Sequence, residues 1–281
     1  MSDYFVKLMV QERDERAGFP PEIAAEIMRL SLVYASRHPP DKSDVWEVSA
    51  DKFANFIPPI PIERTNEWKP LPADAVKTIE GFGIPCTAKG FHLAIAMGVR
   101  RAVAAFLEAR VSPEIFNEHG WTPLILAAFS GHDEIITLLI KHRANIHAQD
   151  LLGNTALHWA ADAGHASSAR LLIEHHAEID ACNHSGLTPL AQAAIQRHLE
   201  VVLLLVDHGA NLDLAARDGT TALHRAAADG YNEIVRTLLH YGADRNIQNH
   251  EGDTPLALAT KNNHQAVVKM LMTASAAGNA Q

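Results

Sequence analysis

The sequence predicts an all-α solenoid of stacked helix-turn-helix units with hairpin fingers, preceded by a small helical N-terminal region. Three observations predict it. From Asn117 onward the 281-residue chain returns to itself every 33 residues without a gap, a period that marks helix-pair repeats. Each copy carries a turn glycine and a threonine ahead of its first apolar segment, as in "HGWTPLILAAFSGHDEIITLLI". The apolar residues recur at helical rather than alternating spacing, which argues against a sheet.

Taken in chain order, residues 1–83 are unlike the rest. Nine of the fourteen prolines and nine of the seventeen aromatics fall there, and "PP" at 20–21, 39–40 and 58–59 cuts the segment into pieces. The pattern predicts helices over about 3–17, 21–37 and 43–57. Ile23, Ile27, Leu30 and Tyr34 give the second an apolar stripe that needs a cover. The simplest reading is a bundle that caps the open end of the solenoid, followed by the proline-stiffened connector "IPPIPIERTNEWKPLP". A second reading notes that "FPPEIAAEIMRLSL" followed by "DVWEVSADKFANFI" resembles an F-box, which docks on a ubiquitin-ligase adaptor, although the halves stand several residues too far apart for that family.

The repeats follow. Thr122, Thr155, Thr188, Thr221 and Thr254 each precede a Pro or Ala, which is an N-cap hydroxyl before a residue that needs no N–H partner. The first helix runs about nine residues through small pairs such as Ala127 and Ala128, then meets Gly131, Gly164 or Gly230, able to take the left-handed conformation that stops a helix. Arg197 and Asn263 occupy the same place in two copies, and for Arg197 a left-handed backbone costs roughly 1–2 kcal/mol. The second helix, for example Ile135, Ile136, Leu138, Leu139 and Ile140, has a broad apolar face and ends at "GAN" or "GAD" before an extended finger.

These residues resemble ankyrin repeats. Copies are expected at 117–149, 150–182, 183–215, 216–248 and 249–274, with a tail at 275–281. A degenerate capping copy at 84–116 keeps Gly98 but has Thr87 and Lys89 where its successors have the finger glycine and the capping threonine. The resemblance implies L-shaped units stacked into a curved slab whose concave face binds other proteins. It also implies that His92, His158 and His224, fourth in the TPLH-type tetrad, bond to the capping threonine and to backbone of the adjoining repeat.

Composition narrows the function. A net charge of −9 with both signs mixed along the chain disfavours duplex nucleic acid. No apolar run approaches the roughly 18 residues of a membrane span, and the charged N-terminus lacks a signal peptide's apolar stretch, so a cytoplasmic chain is expected; secretion by a signal-less route would leave no trace. Cys86 and Cys182 form no CxxC pair, and no metalloprotease, phosphate-loop, hydrolase or dinucleotide motif is present. His158, Asp162 and His165 would offer zinc three ligands on one helix face, but Gly164 ends that helix and the repeat register accounts for both histidines. No cofactor, metal or catalytic residue is expected.

What remains is a non-catalytic module or scaffold for a partner protein, with the F-box-like adaptor, including one delivered into a host by bacteria, as the alternative. The concave positions designated by the register are apolar without a need of the fold at Trp121, Phe129, Leu187 and Ile195, joined by Leu151 and Leu152 on the intervening finger. Asp162, Asp229 and Tyr241 are expected to form a polar rim. The last second helix, "AVVKMLM", is as apolar as the internal ones; the tail, a partner or a second copy of the chain are the candidates to cover it, the last giving a homo-oligomer.

Overall fold

A computed structural model describes residues 70–117 and 120–277, with side chains as far as 273, all within one unit spanning Asn66–Gln281. The helices expected over 3–17, 21–37 and 43–57, and the F-box-like pair, lie outside the described residues. Thirteen helices are described: α1 (Ala73–Glu80), α2 (Ala88–Ala96), α3 (Arg100–Glu108), α4 (Pro123–Ser130), α5 (Asp133–Lys141), α6 (Ala156–Ala163), α7 (Ala166–Glu174), α8 (Pro189–Ile195), α9 (Leu199–Asp207), α10 (Ala222–Ala228), α11 (Asn232–His240), α12 (Pro255–Lys261) and α13 (Gln265–Ala277). No strand occurs among the described residues.

From α2 onward the helices alternate between two layers. Each first helix (α2, α4, α6, α8, α10, α12) packs on the next first helix and on its own second helix, and each second helix packs on the next second helix. The alanine pairs 127–128, 160–161, 193–194 and 226–227 are fully buried, since small side chains let neighbouring first helices approach closely. Between the layers lie Leu124, Leu157, Leu190 and Leu223 with Leu139, Leu172, Leu205 and Leu238, all essentially without solvent contact. Burial of each such side chain contributes about 1.5–3 kcal/mol, so the solenoid is held chiefly by this layer.

The expected caps are present. Thr122, Thr188, Thr221 and Thr254 accept the backbone N–H three residues on. The first copy departs from the expected register. Thr87, which stands where its successors have the finger glycine, is itself the N-cap and accepts from the Gly90 N–H at 3.1 Å, so α2 begins two residues early. This requires glycine at 90, because a Cβ there would lie 1.8 Å from the Pro85 carbonyl oxygen. It also removes His92 from its expected role: the imidazole sits too far along α2 to reach the cap, its Nδ1–H donates to the Ala88 carbonyl at 3.0 Å, and its Nε2 has no partner among the described residues. α1, which the proline-rich reading of residues 1–83 did not anticipate, packs on α3.

Turn conformations follow the expectation at the first helices and depart from it at the second. Gly131, Gly164 and Gly230 are left-handed, as are Arg197 (φ 63°) and Asn263 (φ 61°) in the same column. Beyond the second helices, however, Arg110, Arg143 and His176 take the left-handed conformation where the two later copies use Gly209 and Gly242. The first-helix glycines have a second reason. The rings of His132, His165, His198 and His264, each one repeat on, lie over Gly98, Gly131, Gly164 and Gly230, so that a Cβ would enter the ring. The Nε2 of His132 also bonds the Ala96 carbonyl, and that of His198 the Asp162 carbonyl.

One joint breaks this pairing in both partners at once. Arg197 replaces the glycine and Tyr231 the histidine, and the guanidinium lies over the tyrosine ring, 5.7 Å from its centroid. A cation–π contact of about 0.5–1 kcal/mol offsets only part of the roughly 1–2 kcal/mol left-handed cost. Arg197→Gly is therefore expected to raise the melting temperature by about 2–4 °C, and Arg197→Gly with Tyr231→His to raise it further. A lower melting temperature for the single variant would mean that the ring contact outweighs the backbone strain.

Candidate partner-binding surface

The fingers are built from the backbone upward. In each, a residue at the base donates its N–H to the carbonyl of the fourth residue on: Asn117, Asp150, Asn183, Ala216 and Asn249 donate to Trp121, Asn154, Leu187, Thr220 and Asp253. The base side chain completes the turn. Asp150 Oδ1 accepts the N–H groups of Leu152 (2.9 Å) and Asn154 (2.8 Å), and Asn183 Oδ1 those of Ser185 and Leu187. Ala216 lacks such a group, and Asp218 serves instead, accepting the Thr220 N–H and hydroxyl. Burial pushes the Asp218 carboxyl up, but the Thr220 bonds and the Arg225 guanidinium outweigh it and hold the group below the ordinary carboxylate range.

Adjacent fingers are stitched together by their backbones. The His184 N–H donates to the Leu152 carbonyl, Arg217 to Ser185 and His250 to Asp218, each at 2.9–3.0 Å. The first helices are joined below them through His158 and His224. Each Nδ1 accepts the N–H of its own capping threonine at 3.2 Å, and each Nε2–H donates across to the next repeat, to the Leu187 carbonyl at 3.0 Å and the Asp253 carbonyl at 3.1 Å. Burial holds both imidazoles below the usual histidine range. With both nitrogens engaged, His158 has no lone pair for a metal, and among the described residues no cluster of three or more His, Cys, Asp or Glu side chains is placed to hold one.

On this frame three aromatic rings pack together. Trp121 and Phe129 are half-buried and pack on one another (ring centroids 5.2 Å apart) and on Trp159 of the next repeat (4.6 and 5.6 Å). Trp159 is only 7% exposed, and its Nε1–H donates to Asp150 Oδ2 at 2.8 Å, so one buried carboxylate holds both the ring and the fingertip. That fingertip presents Leu151 (36% exposed) and Leu152 (55% exposed). Leu187 and Ile195, on the following copy, are half-buried.

The three polar positions do not form one rim. Asp162 is 3% exposed and lies beneath Gln192 and Gln196, whose Nε2 groups donate to its Oδ1 at 2.7 and 2.8 Å, because the longer side chains of the next first helix close over the short carboxylate. Tyr241 is exposed but caps the second-layer helix α11, where its hydroxyl donates to Asp207 at 2.5 Å. Asp229 is exposed at the end of α10. Loss of water on its protein side pushes its carboxyl up, against the pull of Arg225 and His264. Trp159, Gln192 and Arg225 were not among the expected site residues. Their signal is a repeat column, 126, 159, 192, 225 and 258, that reads Leu, Trp, Gln, Arg and Leu inside an otherwise uniform helix.

Comparison with known proteins bears on the repeats alone. A family model described as "Ankyrin repeats (3 copies)" matches residues 144–216 and 212–281, and one described as "Ankyrin repeat" matches 119–151. The chain is similar to Transient receptor potential cation channel subfamily V member 5 of Oryctolagus cuniculus, 48% identical over 63 residues, which is 22% of this chain and 8% of that protein. Potassium channel AKT2/3 of Arabidopsis thaliana is 36% identical over 73 residues, covering 26% of this chain and 9% of the channel. Probable E3 ubiquitin-protein ligase XBOS32 of Oryza sativa subsp. japonica is 38% identical over 68 residues, 24% of this chain and 14% of the ligase. The matches thus cover only a small part of each relative.

Proposed function

This chain belongs to the ankyrin repeat family, and on that premise we propose that it is a non-catalytic binding module that holds one partner protein against its first helices and fingers, in the cytoplasm. Repeats of this family are in general an interaction fold, and no described helix is long and apolar enough to cross a membrane. The observation that carries the reading is the second finger. Leu151 and Leu152 are exposed apolar side chains on a tip fixed by Asp150, the carboxylate that also holds the Trp159 ring. A rigid apolar anchor beside a partly buried aromatic cluster suits the centre of an interface, where few residues supply most of the affinity and little ordering entropy is lost on binding. Channel and ligase activities belong to the relatives' whole chains, and the F-box-like alternative rests on residues outside those described.

Leu152→Asp tests this. The side chain stands in solvent, so the variant is expected to keep its melting temperature and to weaken capture of the dominant partner from a lysate by about thirtyfold, or about 2 kcal/mol. Quantitative mass spectrometry of material retained by the wild-type and variant chains gives the readout. Equal retention would remove the second finger from the interface.

A further inference from the structure

We propose that the stack is jointed rather than uniform: between the third and fourth full repeats it opens on the first-helix side and turns about its second helices, so that the repeats before residue 216 and those from it onward move and unfold as two blocks. The joint just before it shows what is missing. Between the second and third repeats the first-helix side is crossed by His158 Nε2–H donating to the Leu187 carbonyl, Asn183 Nδ2 to Asn154 Oδ1 at 2.8 Å, Gln192 and Gln196 to Asp162 Oδ1, and His198 Nε2–H to the Asp162 carbonyl.

One repeat on, each of these pairs has lost a member. The columns place Ala191 for His158, Ala216 for Asn183, Leu187 for Asn154, Ile195 for Asp162 and Tyr231 for His198. Arg225, in the column of Gln192, turns to Asp218 of its own repeat. What stands in their place is the Arg197 guanidinium on the Tyr231 ring, bought with a left-handed backbone at Arg197. A cavity of about 430 Å³ lies at the same joint, between Arg197 and Leu199 on one side and the segment from Tyr231 to Ile234 on the other. Polar links resume at the following joint, where His224 Nε2–H donates to the Asp253 carbonyl and Asn262 Nδ2 to the Ala228 carbonyl at 2.7 Å.

The far side of the loose joint is tied. The Tyr241 hydroxyl donates to Asp207, and the Asp244 N–H to Asp213 Oδ1 at 2.9 Å. Val202 and Leu205 of α9 and Val235 and Leu238 of α11, which pack on one another's helices, have no solvent contact. The fingers keep one backbone bond, from the Arg217 N–H to the Ser185 carbonyl. In a linear stack each repeat meets only its neighbours, so the whole parts where the term between two repeats is smallest. One hydrogen bond corresponds to roughly a two- to tenfold change in an equilibrium constant, and several are absent here at once. With the second layer held and the first layer loose, the motion is a rotation about α9 and α11.

The experiment uses the full chain and two probes that see different blocks. Trp46, Trp68, Trp121 and Trp159 all precede residue 216, so tryptophan fluorescence is blind to the second block, whereas far-ultraviolet circular dichroism reads every helix. In urea the circular dichroism signal is expected to begin falling before the fluorescence changes. In native-state hydrogen exchange the amides of α10, α11 and α12 should share one opening constant, at least about tenfold larger than that of α6 to α9, with the step at residue 216. Ala191→His returns a donor opposite the Thr220 carbonyl, the counterpart of Leu187, and should slow exchange in the second block by roughly two- to tenfold. Adding Arg197→Gly and Tyr231→His should bring the two urea transitions together. Coincident transitions with uniform exchange in the wild type would overturn the inference, and so would a step at residue 249, which would mean fraying of the last repeat alone. Unchanged exchange in the second block of a folded Ala191→His chain would overturn the assignment of the loose joint to these columns.

Discussion

Trp159→Ala is expected to cost about 3–5 kcal/mol of stability, read as a lower midpoint in urea unfolding with an unchanged slope. Two losses combine. The side chain is nearly buried and supports Trp121 and Phe129, so truncation leaves a cavity under both rings. It also strips Asp150 of its indole donor, leaving a buried carboxylate oxygen with only a long 3.5 Å contact to the Asn154 amide. Trp159→Phe separates the two: it restores most of the ring and should recover all but about 1–3 kcal/mol. A loss below about 1 kcal/mol for the alanine variant would show that the rings are not part of the core. The same contacts alter what Trp121→Ala reports. The sequence suggests a loss of affinity with little loss of stability, but a ring packed on two others contributes to both, and Leu152 is the cleaner probe of binding.

Acidification below about pH 6.5 is expected to destabilise the solenoid through His92, His158 and His224. Burial holds all three below the ordinary histidine range in the folded chain. The unfolded chain takes up protons near pH 6.5 while the folded chain does not. Stability is therefore unaffected above that pH and falls as pH drops toward the lowered folded values. The limiting slope is about 1.4 kcal/mol per group per pH unit. The geometry gives the reason at two of the sites: Nδ1 of His158 and of His224 already accepts a backbone N–H, so a proton there would set donor against donor. Asp150 beside His158, and Asp218 beside His224, temper the effect, and Arg225 adds to it. Asp218, whose own value is lowered, contributes acid loss in the separate window below the ordinary carboxylate range. Thermal melts at pH 7.5 and 5.5 give the readout, and His158→Gln with His224→Gln should flatten the difference. An equal drop in the wild type and the double variant would assign the acid sensitivity to other groups.

Much of this molecule was legible because a repeat states its rules several times over. Five threonines before Pro or Ala gave the helix starts, and the caps lie where those columns put them. The reading failed where a copy departs from the column. Thr87 reads as a lost finger glycine, yet the hydroxyl caps a helix that starts early, and only the passage of Pro85 over Gly90 reveals why. Arg110, Arg143 and His176 carry no mark in their residue type of the left-handed backbone they adopt.

The candidate surface divides the same way. Local rules identify which columns face the fingers and which of their residues are needlessly apolar, since cap, turn and helix period are set within one repeat. They cannot say how far a side chain is covered, because the cover comes from residues about 30 positions away. Asp162 reads as an exposed polar group until Gln192 and Gln196 of the next copy close over it, and Tyr241 until its helix is placed in the second layer. The glycine column shows the physical reason most directly: a positive φ favours glycine there, and at Gly131, Gly164 and Gly230 the ring of a histidine one repeat on also occupies the space that a side chain would fill. Backbone conformation is local and was readable wherever a glycine or a capping threonine marks it; steric exclusion and burial arise between repeats and were decided only by their stacking.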